Sequence, residues 1–283
     1  MAIVNVVTRS GILVLGATGK TGSRVARKLS ERGFSVRTAA RKEADIRFDW
    51  TEPSTFPAAL RGVSGVYLVS PVMRVDFAGV VSRFLDEAES AGVRHVTYLS
   101  AYGVEHAPPE VALRAVELDL ASRTSLLHTI LRPAWFMQNL SETFLQPVND
   151  EIVVPCGTGA ESFVSADDIA AVAASALGDP ARHAGCAYAP TGSEALTFEE
   201  AAGLLSTAFG RKISYRDVDR DVWIRAMVAA GVPSEYGDVL RTLTETIAIG
   251  RGSQPNDDVV KVTGMQPIRF EEFAAAAANK RSP

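Results

Sequence analysis

The seven residues Gly16-Ala17-Thr18-Gly19-Lys20-Thr21-Gly22 constrain this chain more than any other stretch. They follow the apolar run Ile12-Leu13-Val14-Leu15 and lead into Ser23-Arg24-Val25-Ala26-Arg27-Lys28-Leu29, whose apolar residues have helical spacing. Strand, glycine turn and helix in that order make a phosphate cradle. Gly16, Gly19 and Gly22 keep the turn free of side chains, and the free N–H groups and positive dipole end of the helix face the anion. Glycine turns also close ordinary strand–helix corners, so the flanking elements carry the inference. With both present, the motif reads as a dinucleotide-binding turn.

The first half continues in the same rhythm. Strands are expected over Gly11–Leu15, Ser35–Ala39, Ile46–Phe48, Gly65–Ser70, His95–Ser100 and Leu127–Leu131. Helices are expected between them over Lys20–Arg32, Ser54–Leu60, Phe77–Ala91 and Pro109–Ser122. Nearly continuous apolar runs such as Val66-Tyr67-Leu68-Val69 suit parallel strands covered on both faces. The fold class that follows is α/β: a doubly wound parallel Rossmann sheet with its ligand crevice at the carboxyl ends of the strands. After about residue 150 the pattern changes. Short strands at Glu151–Pro155 and Ser162–Val164, a helix Asp167–Leu177 with Ser165 near its cap, a strand from Cys186, a helix Thr197–Phe209 ended by Gly210, a strand Ile213–Val218 and three helical stretches make a small C-terminal α/β lobe. The division expected is 11–155 for the dinucleotide-binding domain and 156–283 for its remaining elements plus the lobe.

At 283 residues, with 47% hydrophobic and 22% charged residues, the composition is that of a globular protein. The net charge of −4 contains no long run of one sign, so no nucleic-acid partner is indicated. Cys156 and Cys186 lack metal-type clustering and read as apolar thiols, and no metal site is expected. Residues 1–10 read as a flexible leader or alternative start, too uncharged at the head for a secretory signal. No apolar segment approaches the roughly 20 residues that span a bilayer, so no membrane partner is expected and a cytoplasmic location is the default. Nothing in the sequence fixes an oligomeric state.

NAD-specific sites place an acid after the second strand, on the ribose 2′-hydroxyl. Here that region reads Val36-Arg37-Thr38-Ala39-Ala40-Arg41-Lys42, with no acid. A guanidinium forks onto a 2′-phosphate that a carboxylate would repel, so NADP(H) is the expected cofactor, with Arg41 ahead of Arg37 and Lys42. Asp49-Trp50 either edge the adenine or, for Trp50, simply pack.

The catalytic inventory is sparse. No Tyr-x-x-x-Lys pair occurs, and the helix over 109–122 offers only Arg114 and Glu117. Tyr102, in Ser100-Ala101-Tyr102-Gly103, lines the expected crevice or serves as a weak candidate proton donor. His95, His106, His128 and His183 are scattered, with His128 in an apolar strand, and Asp167-Asp168 serve a helix dipole. Trp135-Phe136-Met137, after Arg132-Pro133, are either a core corner or a substrate wall at the carboxyl edge of the sheet.

These residues together resemble a known family. The glycine turn, then Leu131-Arg132-Pro133-Ala134-Trp135-Phe136-Met137-Gln138-Asn139-Leu140, then Val164-Ser165-Ala166-Asp167-Asp168-Ile169-Ala170, are similar to the NmrA-like atypical short-chain dehydrogenases. The stretch Tyr188 to Thr197 and Asp258-Val259-Val260-Lys261-Val262-Thr263-Gly264 fit as well, so the likeness runs from about Gly11 to Phe273. Phe48-Asp49-Trp50 and Tyr67-Leu68-Val69-Ser70-Pro71 resemble the quinone/azo reductase and festuclavine (agroclavine) dehydrogenase branch. The resemblance implies that Gly16, Thr18, Gly19, Lys20, Thr21 and Gly22 hold the pyrophosphate and Arg41 the 2′-phosphate. It implies that Ser70, Pro71, Ser100 and Ala101 line the ribose and nicotinamide path. Pro133 to Phe136 would back the nicotinamide, with Met137 and Asn139 near the substrate mouth. One departure is Arg114, where many relatives carry a lysine one turn before the helix glutamate; arginine does not give up a proton usefully.

The expected function is an NADPH-dependent reductase that delivers hydride to a small conjugated or aromatic electrophile: a quinone, azo compound, enone or iminium. Such acceptors need proximity and orientation more than an acid–base pair. The alternative is a non-catalytic redox sensor that binds the dinucleotide and reports to a protein partner. An epimerase or dehydratase fits worst, because it needs the acid–base pair this chain does not display.

Overall fold

The structure, a computed structural model, describes residues 11–143 and 145–280. The leader expected over residues 1–10 lies outside them. Seven parallel strands form the central sheet in the order β3-β2-β1-β4-β5-β6-β9. These are β1 (Gly11–Leu15), β2 (Val36–Ala40), β3 (Ile46–Arg47), β4 (Val63–Val69), β5 (His95–Leu99), β6 (Leu127–Leu131) and β9 (Ala187–Tyr188). Successive residues of a strand point to opposite faces, and β1 shows it. Leu13 and Leu15 enter a core built with α2 (Phe56–Leu60), α3 (Ala78–Ser90) and α4 (Ala112–Ser122). Ile12 and Val14 enter the opposite core, with α1 (Gly22–Glu31) and α6 (Ala166–Gly178). Both faces are therefore sealed, as the apolar strand runs require.

The lobe carries two small sheets, β7 (Glu151–Val153) parallel to β11 (Ser214–Arg216), and β8 (Ala160–Glu161) antiparallel to β10 (Leu196–Thr197). Short helices α5 (Asn139–Glu142) and α7 (Pro180–His183) sit at junctions; α8 (Phe198–Phe209), α9 (Arg220–Ala229), α10 (Gly237–Ala248), α11 (Asp258–Thr263) and α12 (Phe270–Asn279) complete the chain. Of these, α11 leans on α6 and places Val259 in the sheet-side core. The lobe has its own core, where the Phe198 and Phe163 rings meet edge-on at 5.3 Å and Trp223 Nε1 donates to the Val153 carbonyl at 2.9 Å. At the start of α8, Thr197 and Glu200 cap each other reciprocally, which fixes where the helix begins.

Several boundaries differ from expectation for identifiable reasons. The first helix starts at Gly22 rather than Lys20, because the turn occupies the intervening residues. The Pro108-Pro109 pair delays α4 to Ala112, after a 3-10 turn at Val104–His106. Ser162–Val164 is not a strand: pairing falls on Ala160–Glu161, and Val164 makes only an isolated parallel bridge with Phe136. The strand expected over Ile213–Val218 shortens to three residues, matching its three-residue partner β7.

Candidate active site

The glycine turn lies where the sheet reverses its winding, between β1 and β4. Gly16 has φ +61, a left-handed conformation, and a Cβ there would stand 3.7 Å from Val69 at the end of β4. Gly22 is required for closeness: a Cβ would fall within 2.2 Å of the Gly16 carbonyl oxygen. The turn is clipped by Gly19 N–H to the Gly16 carbonyl at 2.8 Å and joined to β2 by Ala17 N–H to the Ala39 carbonyl at 3.2 Å. Gly16, Thr18 and Gly19 are exposed while Thr21 and Gly22 are buried beneath them. An open backbone at a helix N-terminus, with no side chain in the way, fits a diphosphate.

Beyond β2, Arg41 and Lys42 are exposed at the end of the strand. Arg37 is committed elsewhere, donating to the Ala59 carbonyl at 3.0 Å and to the Arg61 carbonyl. Asp49 accepts from Thr51 N–H and Oγ1 at 2.9 and 2.8 Å, and these bonds, with Arg41 nearby, hold its carboxyl below the usual range. Trp50 packs edge-on against Phe48, Phe56 and Phe84, so its ring is held by the core.

The carboxyl ends of β4, β5 and β6 carry the other predicted residues. Ser70 Oγ and Tyr98 Oη are 2.9 Å apart, and burial pushes the Tyr98 hydroxyl up. Past their strands, β5 and β6 stay zipped together: Ser100 N–H donates to the Leu131 carbonyl at 2.8 Å and Tyr102 N–H to the Pro133 carbonyl at 3.1 Å. Pro71 and Pro133 are buried, and Ala101 and Tyr102 are half-buried. The segment after β6 is clamped between two loops, through Ala134 N–H to Pro190 and Val164 N–H to Trp135 carbonyls at 3.0 and 2.8 Å. Trp135 packs against the lobe core and Phe136 against the sheet-side core, both half-exposed. Met137, expected at the substrate mouth, is 1% exposed and belongs to the lobe core.

Three features escaped sequence reasoning. Glu117, 1% exposed, accepts from Ser100 Oγ at 2.6 Å, Arg114 at 2.9 Å and Arg132 through two nitrogens at 2.9 and 2.8 Å. Burial alone would raise its pKa, but the bonds from Arg132, Ser100 and Arg114 outweigh that and hold it low. Its signal was a charged residue on the buried stripe of Ala112, Val116 and Leu120. Arg114, the departure from the family pattern, is an anchor of this network. Second, Gln138 caps α6, accepting from Ala166 N–H at 2.8 Å and donating to Ser165 Oγ at 3.3 Å. Third, Lys20 Nζ reaches across to Asn139 Oδ1 at 2.6 Å and Thr143 Oγ1 at 2.9 Å. Beside it Arg24 bridges Glu142 at 2.7 Å and Asp167 at 3.0 Å, so Asp167 holds α1 as well as facing its helix dipole. A cavity of about 340 Å³ adjoins these groups, lined in part by Arg24, Gln138, Glu142, Asp167 and Lys280.

Two buried acids stand outside the crevice. Glu161 is 2% exposed and pushed up to about 7 by burial, opposed by a bond from Trp135 N–H at 3.4 Å. Asp168, also raised by burial to about 6, accepts from Ile268 N–H at 2.9 Å. No group of three or more metal-ligating side chains gathers among the described residues, and no helix among them is long and apolar enough to cross a membrane.

A parallel sheet, an open glycine turn at its winding reversal and a helix aimed at that turn define a Rossmann-type dinucleotide-binding protein. Residues 16–180 match the family described as NAD(P)H-binding. The chain belongs to that family, among NAD(P)H-dependent oxidoreductases. It is 37% identical over 276 residues to the uncharacterized oxidoreductase YesF of Bacillus subtilis (strain 168), covering 94% of this chain and 95% of the relative. It is 33% identical to the NAD(P)H azoreductase of Xenophilus azovorans, covering 94% and 98%. Identity to the agroclavine dehydrogenase of Claviceps fusiformis is 32%, covering 95% and 97%.

Proposed function

We propose that the chain is an NADPH-dependent reductase of a small conjugated or aromatic electrophile: a quinone, azo compound, enone or iminium. The observation that carries this reading is the convergence of the open glycine turn with the half-exposed Trp135 and Phe136 at one edge of the sheet, in a chain without a Tyr-x-x-x-Lys pair. Bound at this edge, the dinucleotide would supply a hydride. The turn from Gly16 to Gly22 would hold its diphosphate and Arg41 its 2′-phosphate. Ser70, Pro71, Ser100 and Ala101 would line the path to the nicotinamide, and Pro133 to Phe136 would back it. Trp135, Phe136, Tyr102 and Asn139 would border the acceptor. The Ser70–Tyr98 and Ser100–Glu117 hydrogen bonds fix two hydroxyls on that path before any ligand arrives. Similarity to an azoreductase and a clavine dehydrogenase over nearly the whole chain supports acceptors of this class. NADPH oxidation measured against a panel of quinones, azo dyes, enones and iminium salts should show turnover with at least one class. Tight cofactor binding with no turnover on any of them would favour a sensor and overturn the reductase reading.

A further inference from the structure

Lys20 belongs to the phosphate turn by sequence, yet its side chain leaves the turn. Its Nζ donates to Asn139 Oδ1 at 2.6 Å and Thr143 Oγ1 at 2.9 Å, and stands 6.0 Å from the centre of the Phe136 ring. Phe136 and α5 both follow β6. A dinucleotide seated on the turn with its adenosine over β2 extends its nicotinamide half toward β4, β5 and β6. The amine therefore stands on the nicotinamide side, at the aromatic edge where an acceptor would lie.

We propose, resting on the reductase reading, that Lys20 is the proton donor for acceptors whose hydride adduct is an anion. Its surroundings suit the task. The two oxygens that accept from it are neutral, and the nearby charges are Glu142 on α5 and Arg24 on α1, which pair with each other at 2.7 Å. Burial pulls the amine down to about 8, against the pull of Glu142, so it is protonated at neutral pH and gives up its proton more readily than a surface lysine. A quinone that gains a hydride is reduced to a hydroquinone anion; an N–H bond of Lys20 breaks, an O–H bond forms, and the neutral amine regains a proton from water. An azo acceptor behaves likewise at nitrogen. An iminium cation that gains a hydride is already a neutral amine and needs no proton.

That difference supplies the test. Turnover of a naphthoquinone and of an N-methyl dihydroisoquinolinium salt is compared in wild type, Lys20→Met and Lys20→Arg, with NADPH affinity measured by calorimetry. Both variants are expected to lose at least about tenfold more quinone activity than iminium activity, at saturating cofactor. Wild-type quinone turnover should fall above about pH 8, and acetylation of Lys20 in the cofactor-free protein, followed by mass spectrometry, should show a midpoint near that value. Equal losses on both acceptors, no loss in Lys20→Arg, or an acetylation midpoint at the ordinary lysine value of 10.5 would overturn the donor role while leaving the reductase intact. If wild type turns over the quinone alone, a pH 8 limb that persists in Lys20→Arg would overturn the role too. Wild type inactive on both would remove the reductase reading, and the donor role with it.

Discussion

The two ends of the crevice are held in opposite ways. At the tip of β2, the end proposed for the adenosine, Arg41 and Lys42 stand exposed, while their neighbour Arg37 is spent on backbone carbonyls. Past β5 and β6, the end proposed for the nicotinamide, Ser100, Glu117, Arg114 and Arg132 lock together, and Lys20 bonds to Asn139 and Thr143 across the gap. Exposed surface charge would suffice to choose between coenzymes, because a 2′-phosphate needs only a cation within reach. Hydride transfer needs its partners fixed in place, and at the end proposed for it the chain has its groups bonded in advance.

The contrast can be broken most forcefully at Glu117. Glu117→Ala strips the half-buried Arg132 of its main partner and leaves it only Glu105 at 3.5 Å, so a loss of about 3 kcal/mol of stability is expected in urea unfolding. A loss below about 1 kcal/mol would mean that the network is not what fixes this end. At the other end, Arg41→Ala should leave stability unchanged but weaken NADPH binding about ten- to a hundredfold, a contact of ~1.5–3 kcal/mol, with little effect on NADH. Added salt should shrink that difference; equal weakening of both coenzymes would overturn the 2′-phosphate assignment. The smallest effect concerns how far the rigid side extends into the lobe. Glu161 titrates near 7 in the folded chain against an ordinary 4.5, so wild type loses stability as pH rises through that window. Glu161→Gln carries no such loss. Its stability relative to wild type should rise by on the order of 1–2 kcal/mol between pH 5 and pH 8. A pH-independent difference would show that the carboxyl is not buried against the Trp135 backbone as described.

Much of this was legible in the chain itself. Apolar runs and the glycine turn pointed to six of the seven parallel strands and to the reversal point, because parallel strands covered on both faces are apolar. The seventh was expected as a strand from Cys186 but placed in the lobe rather than beside β6. What stayed hidden depends on partners distant in sequence. Ala160–Glu161 pairs with Leu196–Thr197 although neither dipeptide has strand character of its own. Lys20 and Asn139 are 119 residues apart, and no local pattern announces their contact. Glu117 is offered by the helix pattern beside Arg114, but its bonds to Arg132 and Ser100, 15 and 17 residues away, come only with the packing. Met137 reads as a pocket residue from its motif, and only the packing of the lobe shows it buried at 1%.

The last strand of the main sheet, Ala187–Tyr188, comes after a long excursion through the lobe and pairs with Ile130 and Leu131. A ribosome that has released only the first 155 residues has therefore exported an unfinished sheet. Leu127–Leu131 then presents an uncovered hydrogen-bonding edge, a template for misassociation with other chains. The helix 166–178 that seals one face is also still to come. The nucleotide-binding half is thus not a separable module, and a fragment cut at the apparent boundary would be prone to aggregate.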